Sequence, residues 1–326
     1  MNIFITKLLY FFIGIFSSGI ILFLAYPKLK KYILDKPNTR SLHIKPIPSA
    51  GGISFTLPII FLNSFQYFMS NYTSATLISI YCIPLAIISF VDDLIKVSSK
   101  YRYCAQILCT LIIIFKLNYF PFELNVGLNL IFLIFLIIFI TALINFTNFM
   151  DGSDGLVGLN MLVFFIILIK EGSTNGNLFL LIGSLITFIY WNWQPAKIFM
   201  GDVGSTFLGI YFAANLLEIE SLEKILGVLL ITFPLYVDAL FTLLKRLTYK
   251  QNIFVAHRSH LYQRLFLGGL QKSRISIIYT SLSIFIGIVY YNLGIYAEII
   301  SVFLCGIFML MLNKYYATPF GSAVEK

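Results

Sequence analysis

Charged residues are scarce in this chain. Only 11% of its 326 residues are Asp, Glu, Lys or Arg, whereas 59% are hydrophobic. Because water-soluble domains carry about 25% charged residues, this composition excludes a soluble globular enzyme, a disordered chain and a free nucleic-acid-binding protein. The hydrophobic residues also form long blocks, of which the first runs from Leu8 to Tyr26 and the last from Gly294 to Leu312. The sequence therefore predicts a polytopic membrane protein.

Cysteine and histidine are also rare, with four and three copies. The cysteines lie in apolar stretches without CxxC or CxxH spacing, which disfavours a disulfide framework and a zinc site. We expect them to be small buried side chains. Two of the histidines, His257 and His260, flank Arg258, but no cysteine or third histidine lies near them in the sequence. Zinc is therefore not expected there either.

The apolar blocks predict the architecture. A helix needs about 20 apolar residues to cross a hydrocarbon layer roughly 30 Å thick. By this measure the sequence predicts one all-α catalytic domain, residues 1–326, with about 11 transmembrane helices. The first is expected to be a retained anchor, because lysines follow it directly and no small-residue cleavage site is present. The predicted spans are 8–26, 52–68, 75–91, 104–118, 128–144, 156–170, 177–191, 204–218, 224–242, 275–292 and 294–312.

Basic residues predict the orientation. When the loops alternate between the two sides, only four of the 23 Lys and Arg residues fall on one side, namely Lys7, Lys116, Lys170 and Lys224. The strongly basic side is expected to be cytoplasmic, which places the N-terminus outside and the C-terminus inside. The predicted cytoplasmic loops, which we expect to form the active site, cover about 27–51, 92–103, 145–155, 192–203 and 243–274.

All seven aspartates fall on the cytoplasmic side in this topology. Aspartate is a common helix-capping and turn residue, which is an alternative explanation. Capping does not explain, however, why the outer loops lack aspartate. We therefore expect the cytoplasmic loops to build one shared site. The aspartates are Asp35, Asp92, Asp93, Asp151, Asp154, Asp202 and Asp238.

Two adjacent carboxylates stand at the end of the third predicted span, in VDDLIK. Asp92 and Asp93 repel each other, and burial at the membrane edge raises the cost of ionising both. Such a pair is favoured where a cation or a proton transfer uses it, and Lys96 follows one turn later. The alternative is a pair of solvated loop carboxylates.

In NFTNFMDGSDGLVG, polar residues recur every three positions, at Asn145, Asn148, Asp151 and Asp154. On a continuing helix this spacing would place them along one face. Intervening glycines allow the backbone to bend around a ligand. Amide and carboxylate oxygens suit a hard cation such as Mg²⁺. The alternative is an ordinary polar turn between two helices.

The segment FMGDVGSTFLG places Asp202 between Gly201 and Gly204, immediately before another apolar helix. A glycine-rich loop at a helix N-terminus favours phosphate binding, and Asp202 could hold a metal that bridges phosphates. The alternative is an ordinary turn, because Gly-Asp turns are common.

The last cytoplasmic loop contains His257, Arg258 and His260, followed by Leu261 and Leu265. This pattern predicts a short interfacial helix with an apolar edge and a basic cluster able to bind diphosphate. A plain basic helix on the membrane surface is the alternative.

Taken in order, the segments DKPNTRSLH…PSAGGISF, VDDLIK, NFTNFMDGSDGLVG, FMGDVGSTFLG and AHRSHLYQRL resemble the polyprenyl-phosphate N-acetylhexosamine-1-phosphate transferases, glycosyltransferase family 4. The resemblance runs from about Asp35 to Arg264. It implies a multi-pass enzyme of the bacterial inner membrane that uses Mg²⁺. Such an enzyme transfers a sugar 1-phosphate from a UDP-N-acetylhexosamine to polyprenyl (undecaprenyl) phosphate and releases UMP.

The resemblance also implies roles around the reacting phosphates. Asn148 and Asp202 match Mg²⁺ ligands, which makes Asp202 catalytic as well. Asp92 and Asp93 match an acidic pair that deprotonates or orients the lipid phosphate. Lys96 would add positive charge near the transferring phosphoryl group. We favour direct attack on the β-phosphorus, and a two-step route through a carboxylate nucleophile stays open.

Further matches concern the donor. Phe199 matches an aromatic residue that stacks on uracil. Asp151 falls near the diphosphate and Asp154 at the nucleoside end, while Lys45 and Ser49 lie in a segment that contacts the nucleotide. The residues matching the loop that contacts sugar and diphosphate are His257, Arg258 and His260.

The form of the last loop predicts the branch of the family. The muramoyl-pentapeptide branch of peptidoglycan synthesis typically carries a run of adjacent histidines, whereas this chain has H-R-S-H. We therefore favour the branch that starts lipopolysaccharide O-antigen or other surface glycans, with UDP-N-acetylglucosamine or a 6-deoxy amino sugar as donor. The muramoyl-pentapeptide transferase remains the alternative. Membrane lipids are expected partners, nucleic acid is not, and a homodimer is left open.

A secondary transporter or lipid flippase is the competing class. Transporters place ionisable groups near the middle of the bilayer, often on broken helices. In this chain the middles of the predicted spans are nearly free of charge, with Glu298 as the main exception. The sequence therefore favours an enzyme.

Overall fold

The structure, a computed structural model, describes residues 3–38, 41–69, 74–117, 125–171, 176–252, 255 and 257–321. Arg40 and Lys326, which contribute to the predicted cytoplasmic charge, lie outside these ranges. The described part is helical apart from one two-stranded antiparallel sheet, in which Leu34 pairs with Pro48. Its elements are α1 (Ile3–Tyr32), β1 (Leu34–Asp35), β2 (Ile47–Pro48), α2 (Ile53–Phe68), α3 (Ser74–Tyr81), α4 (Ile83–Ile95), α5 (Ser99–Lys116), α6 (Val126–Met150), α7 (Leu156–Lys170), α8 (Asn177–Asn192), α9 (Asp202–Leu217), α10 (Leu222–Ile231), α11 (Phe233–Thr248), α12 (Leu261–Leu267) and α13 (Lys272–Tyr315).

Three of the described helices, α1, α6 and α13, are long and apolar enough to cross a membrane. A fourth crossing is possible if α10 and α11, which are bent by 75° at their junction, count as one broken span. These lengths and compositions fit a multi-pass, all-α membrane protein. The number of 11 crossings and the orientation stay predictions.

Two of the predicted spans are broken helices. The third is divided into α3 and α4 at Cys82, and the ninth into α10 and α11 at Thr232. In both cases a proline, Pro84 or Pro234, stands in the first turn of the second helix. Proline lacks the N–H that would continue the preceding helix but fits a helix start. The hydrophobic pattern is continuous across these points, so it predicted single helices.

Helix α13 is a hairpin of two arms. Its backbone leaves helical geometry at Gly294, where φ is 82° and ψ is −179°. The first residue of α13 follows α12 closely in the chain, and beyond its far end the Thr318 N–H donates to the Arg264 carbonyl of α12 at 3.1 Å. Both ends therefore lie beside α12, and the chain must reverse at Gly294. Each arm, about 30 Å long, corresponds to one of the last two predicted spans.

Helix α9 forms the buried centre of the bundle, since every residue from Val203 to Leu216 is buried. Helix α6 crosses it closely, because a Cβ atom at Gly209 would lie 2.7 Å from the Ile144 Cα atom. Small residues permit such close crossings in membranes. The N-terminus of α9 and the C-terminus of α6 are thereby held close together.

Candidate active site

The predicted cytoplasmic loops converge on a cavity of about 580 Å³. The β1–β2 hairpin and the adjoining ends of α4, α6 and α9 form its walls. The predicted site residues that line it are Ser49, Asp93, Lys96, Asn148, Asp151, Phe199, Asp202 and His257. The predicted site residues that do not line it are Lys45, Asp92, Asp154, Arg258 and His260.

A second cavity, of about 510 Å³, lies between α11 and the second arm of α13. Its walls are mostly apolar, and none of the predicted site residues lines it. The first cavity is therefore the candidate active site.

Asn148 and Asp202 meet inside this cavity. The Asn148 amide nitrogen lies 3.0 Å from a carboxylate oxygen of Asp202 and 2.9 Å from the Ser205 hydroxyl. The amide oxygen of Asn148 takes part in neither hydrogen bond. No group of three or more His, Cys, Asp or Glu residues suited to a metal occurs in the described part of the chain. The pair is thus close enough to share one cation but supplies only two protein ligands.

Asp93 holds the start of helix α9. Its carboxylate accepts hydrogen bonds from the backbone N–H groups of Asp202, at 3.0 Å, and Val203, at 3.1 Å. The preceding residue, Gly201, has a φ of 73°, and a Cβ atom there would lie 2.6 Å from the Asp93 carboxylate. Only glycine fits this position. Burial, followed by the nearby charge of Asp202, raises the pKa of Asp93 to about 7.

Arg102 links two of the predicted acids. Its guanidinium donates to Asp92 at 3.0 Å and also to Asp202. Asp92 is buried, and burial is the largest cause that raises its pKa. From the sequence, Arg102 was only one of the basic residues that predict the cytoplasmic side. Its position in the same loop as the adjacent acids, which need a cation, was the signal that could have identified it.

The two aspartates of the DGSDG segment separate. Asp151 faces the cavity, and burial together with the charges of Asp202 and Asp93 raises its pKa well above the usual range. Asp154 instead forms a buried ion pair with Lys272 at 2.7 Å and accepts the Ala196 N–H at 3.1 Å. Asp154 therefore connects the site to α13.

The histidines also have different surroundings, and both precede helix α12 instead of lying on it. His257 lines the cavity, whereas His260 is buried and its ring packs near those of Phe149 and Tyr262. Burial lowers the pKa of each histidine to about 3. Both are neutral near pH 7, so the expected basic cluster reduces to Arg258, which lies outside the cavity lining.

The β1–β2 hairpin closes the opposite wall. The Phe199 N–H donates to the Pro48 carbonyl at 2.8 Å, which joins the hairpin to the loop before α9. The Phe199 ring meets His43 edge to face, with 5.0 Å between the centroids. His43 also lines the cavity, although it was not predicted as a site residue. It could have been identified from the sequence, because it is the third histidine and lies within the segment DKPNTRSLH. Lys45 is exposed on the hairpin.

Known proteins resemble this chain over most of its length. Residues 75–220 match the glycosyl transferase family 4 profile. The chain is 30% identical to the undecaprenyl-phosphate alpha-N-acetylglucosaminyl 1-phosphate transferase of Salmonella typhi over 277 residues, 77% of this chain and 74% of the relative.

Two further relatives come from other bacteria. A probable undecaprenyl-phosphate N-acetylglucosaminyl 1-phosphate transferase of Bacillus subtilis is 27% identical, with 86% of this chain and 84% of the relative covered. The phospho-N-acetylmuramoyl-pentapeptide-transferase of Staphylococcus saprophyticus is 28% identical, with 76% and 85% covered. The chain therefore belongs to glycosyl transferase family 4 and is an enzyme of sugar-phosphate transfer.

Proposed function

We propose that the chain transfers N-acetylhexosamine 1-phosphate from a UDP-sugar to undecaprenyl phosphate at the cytoplasmic face of the bacterial inner membrane. UMP is the second product. The observation that carries this proposal is the 3.0 Å approach of Asn148 to Asp202 in a cavity that also exposes Asp93, Asp151 and Phe199. The relatives named as undecaprenyl-phosphate N-acetylglucosaminyl 1-phosphate transferases support it.

Mg²⁺ fits the residues of this cavity. The amide oxygen of Asn148 and the carboxylate of Asp202 would hold it, and Mg²⁺ commonly takes its other ligands from water and substrate phosphates. Burial, followed by the charge of Asp202, raises the pKa values of Asp93 and Asp151, and a bound cation would stabilise their ionised forms. When bound, Mg²⁺ would neutralise charge on the donor diphosphate and on departing UMP.

The remaining groups bind and orient the phosphates. Asp93 keeps the first turn of α9 in place by accepting the backbone N–H groups of Asp202 and Val203. Lys96 lines the cavity, and together with Arg102 it supplies positive charge near the reacting phosphates. Asp92 acts as a positioning residue for Arg102.

The donor occupies the wall opposite Lys96 in this proposal. Phe199 stacks on the uracil ring, with Ser49 beside it in the cavity lining. Neutral His257 offers hydrogen bonds to the sugar or the diphosphate. Arg258 adds charge at the outer edge, and Asp151 orients the diphosphate.

The proposed reaction needs no covalent enzyme intermediate. The acceptor phosphate is already ionised, so its oxygen attacks the β-phosphorus of the donor directly. The new P–O bond forms as the bond from the β-phosphorus to the UMP oxygen breaks, and UMP carries away the electron pair.

The identity of the donor sugar is a separate part of the proposal. The H-R-S-H loop and two of the relatives favour UDP-N-acetylglucosamine over the muramoyl-pentapeptide donor. Membranes supplied with Mg²⁺, undecaprenyl phosphate and a panel of UDP-amino sugars should release UMP with UDP-N-acetylglucosamine. Release only with UDP-N-acetylmuramoyl-pentapeptide would support the alternative branch. No release with any donor, from a protein that is folded and inserted, would contradict the proposed function.

A further inference from the structure

The loop that carries the histidines is held from two directions. We define the histidine loop as residues 257–260 and the C-terminal segment as residues 316–321. From one direction, the buried Asp238 carboxylate accepts the backbone N–H groups of Leu261, at 2.6 Å, and Tyr262, at 3.0 Å. Asp238 therefore fixes the first turn of α12, directly after the histidine loop.

From the other direction, one buried side chain joins the histidine loop to the end of the chain. Arg264, which is 4% exposed, uses each of its three nitrogens. Its Nε donates to the Ser259 carbonyl of the histidine loop at 3.1 Å. Its two Nη atoms donate to the Thr318 carbonyl, at 2.9 Å, and to the Asn313 side-chain oxygen, at 2.6 Å.

The C-terminal segment is itself packed against the bundle. The Thr318 N–H donates back to the Arg264 carbonyl at 3.1 Å. The Phe320 ring lies 5.4 Å from the Tyr249 ring and 4.5 Å from the Lys245 ammonium group, both measured to ring centroids. The segment thus has contacts with α11 and α12 that hold its Thr318 acceptor in place.

We propose that Asn313 and the C-terminal segment act through Arg264 as a positioning device for the histidine loop. Arg264 is buried, lies outside the lining of the 580 Å³ cavity and borders the second, apolar cavity instead, so it does not line the proposed donor site. It sets instead where the backbone at Ser259 lies, and therefore where the neighbouring His257 projects into the cavity. This inference rests on the proposed function in one respect, namely that the histidine loop contacts the donor.

The acceptor oxygen of Asn313 offers a clean test. Asn313→Ala removes one of the three hydrogen bonds of Arg264, whereas Asn313→Asp keeps an oxygen acceptor and adds an ion pair. Asn292→Ala serves as the matched control, because Asn292 lies on the other part of α13, is exposed and bonds only locally, to the Ile288 carbonyl.

Two readouts separate positioning from a general loss of folded protein. Because a displaced loop binds the donor less well, we expect Asn313→Ala to raise the KM for the UDP-sugar about threefold or more. The KM for undecaprenyl phosphate should stay the same, and Asn313→Asp should restore the donor KM. Backbone amides of residues 257–263 should exchange hydrogen roughly tenfold faster in Asn313→Ala, and neither effect should occur in Asn292→Ala.

Hydrogen exchange tests the inference independently of UMP release. Unchanged exchange at residues 257–263 in Asn313→Ala would overturn it, as would a lower kcat with an unchanged donor KM. If the wild-type protein released no UMP while exchange still increased, the proposed function would fail and the anchoring of the loop by Asn313 and Arg264 would stand.

Discussion

The Asn148 amide and the Asp202 carboxylate lie 3.0 Å apart although 54 residues separate them in the chain. Asn148 stands in the last turn of α6 and Asp202 in the first position of α9. The two residues meet because these helices cross closely at Gly209. This relationship makes a shared cation geometrically feasible, and the first prediction tests it.

Asp202→Asn and Asn148→Ala should each lower UMP release roughly a hundredfold or more, because each removes a ligand that would neutralise the reacting phosphates. Asn148→Ala should also raise the Mg²⁺ concentration needed for half-maximal rate. Asn215→Ala on α9 provides the control, since Asn215 is buried but lies far along the helix from Asp202. Wild-type rates in either site variant would refute the metal assignment.

Asp92 and Arg102 should behave as one unit. If Asp92 acts only by holding Arg102, the effects of Asp92→Asn and Arg102→Gln on kcat/KM should overlap in a double-mutant cycle. We expect the double variant to be no more than about twofold slower than Arg102→Gln. Fully additive losses would indicate instead that Asp92 reaches the substrates independently, for example as a base.

Acid should destabilise the protein partly through His260. Its pKa is about 3 in the folded protein, against 6.5 in an unfolded chain. Between these values only the unfolded state binds the proton, so the free energy of unfolding falls as the pH falls through this window and is fully retained above pH 6.5. Between pH 7 and pH 5, His260 alone should lower the free energy of unfolding by about 2 kcal/mol.

The measurement is the difference between thermal unfolding midpoints at pH 7 and pH 5 in detergent. His260→Asn should make that difference smaller. The charged and titratable groups around His260, namely Asp238, Arg246, His257 and Arg264, remain in the variant. An equally large difference in the variant would show that other groups cause the acid sensitivity.

Cysteine labelling tests the orientation. In a Cys104→Ser background, which removes the exposed native cysteine among the described residues, a cysteine replacing Leu293 at the tip of the α13 hairpin should react with an impermeant maleimide outside intact cells. A cysteine replacing Gln271, just before α13, should react only after the membrane is opened. Both positions are exposed. The reverse pattern would invert the predicted topology.

Much of the helical architecture could be predicted from the sequence, because the lipid environment requires long apolar segments. The same signal missed the breaks at Cys82 and Thr232, since hydrophobicity does not change where Pro84 or Pro234 restarts a helix. The pattern of the last cytoplasmic loop placed the histidines on a short helix, whereas α12 begins after them at Leu261.

The residue types of the site were also readable from sequence, because a site for two phosphate esters needs acids, amides and basic groups near glycine-rich turns. The sequence by itself predicted that Asn148, Asp202, Asp93 and Asp151 belong to one face of the membrane, and the fold brings all four to one cavity. It did not reveal that Asp154 binds Lys272.

Only the tertiary structure decided which of these polar residues face the cavity and which hold other parts of the chain. Spacing along one segment describes local geometry, whereas a contact such as Arg102 with Asp202, or Arg264 with Asn313, depends on how distant helices cross. The crossings are set by close packing at small residues such as Gly209. For that reason the contacts of Arg102, His43 and the C-terminal segment could be recognised only in the fold.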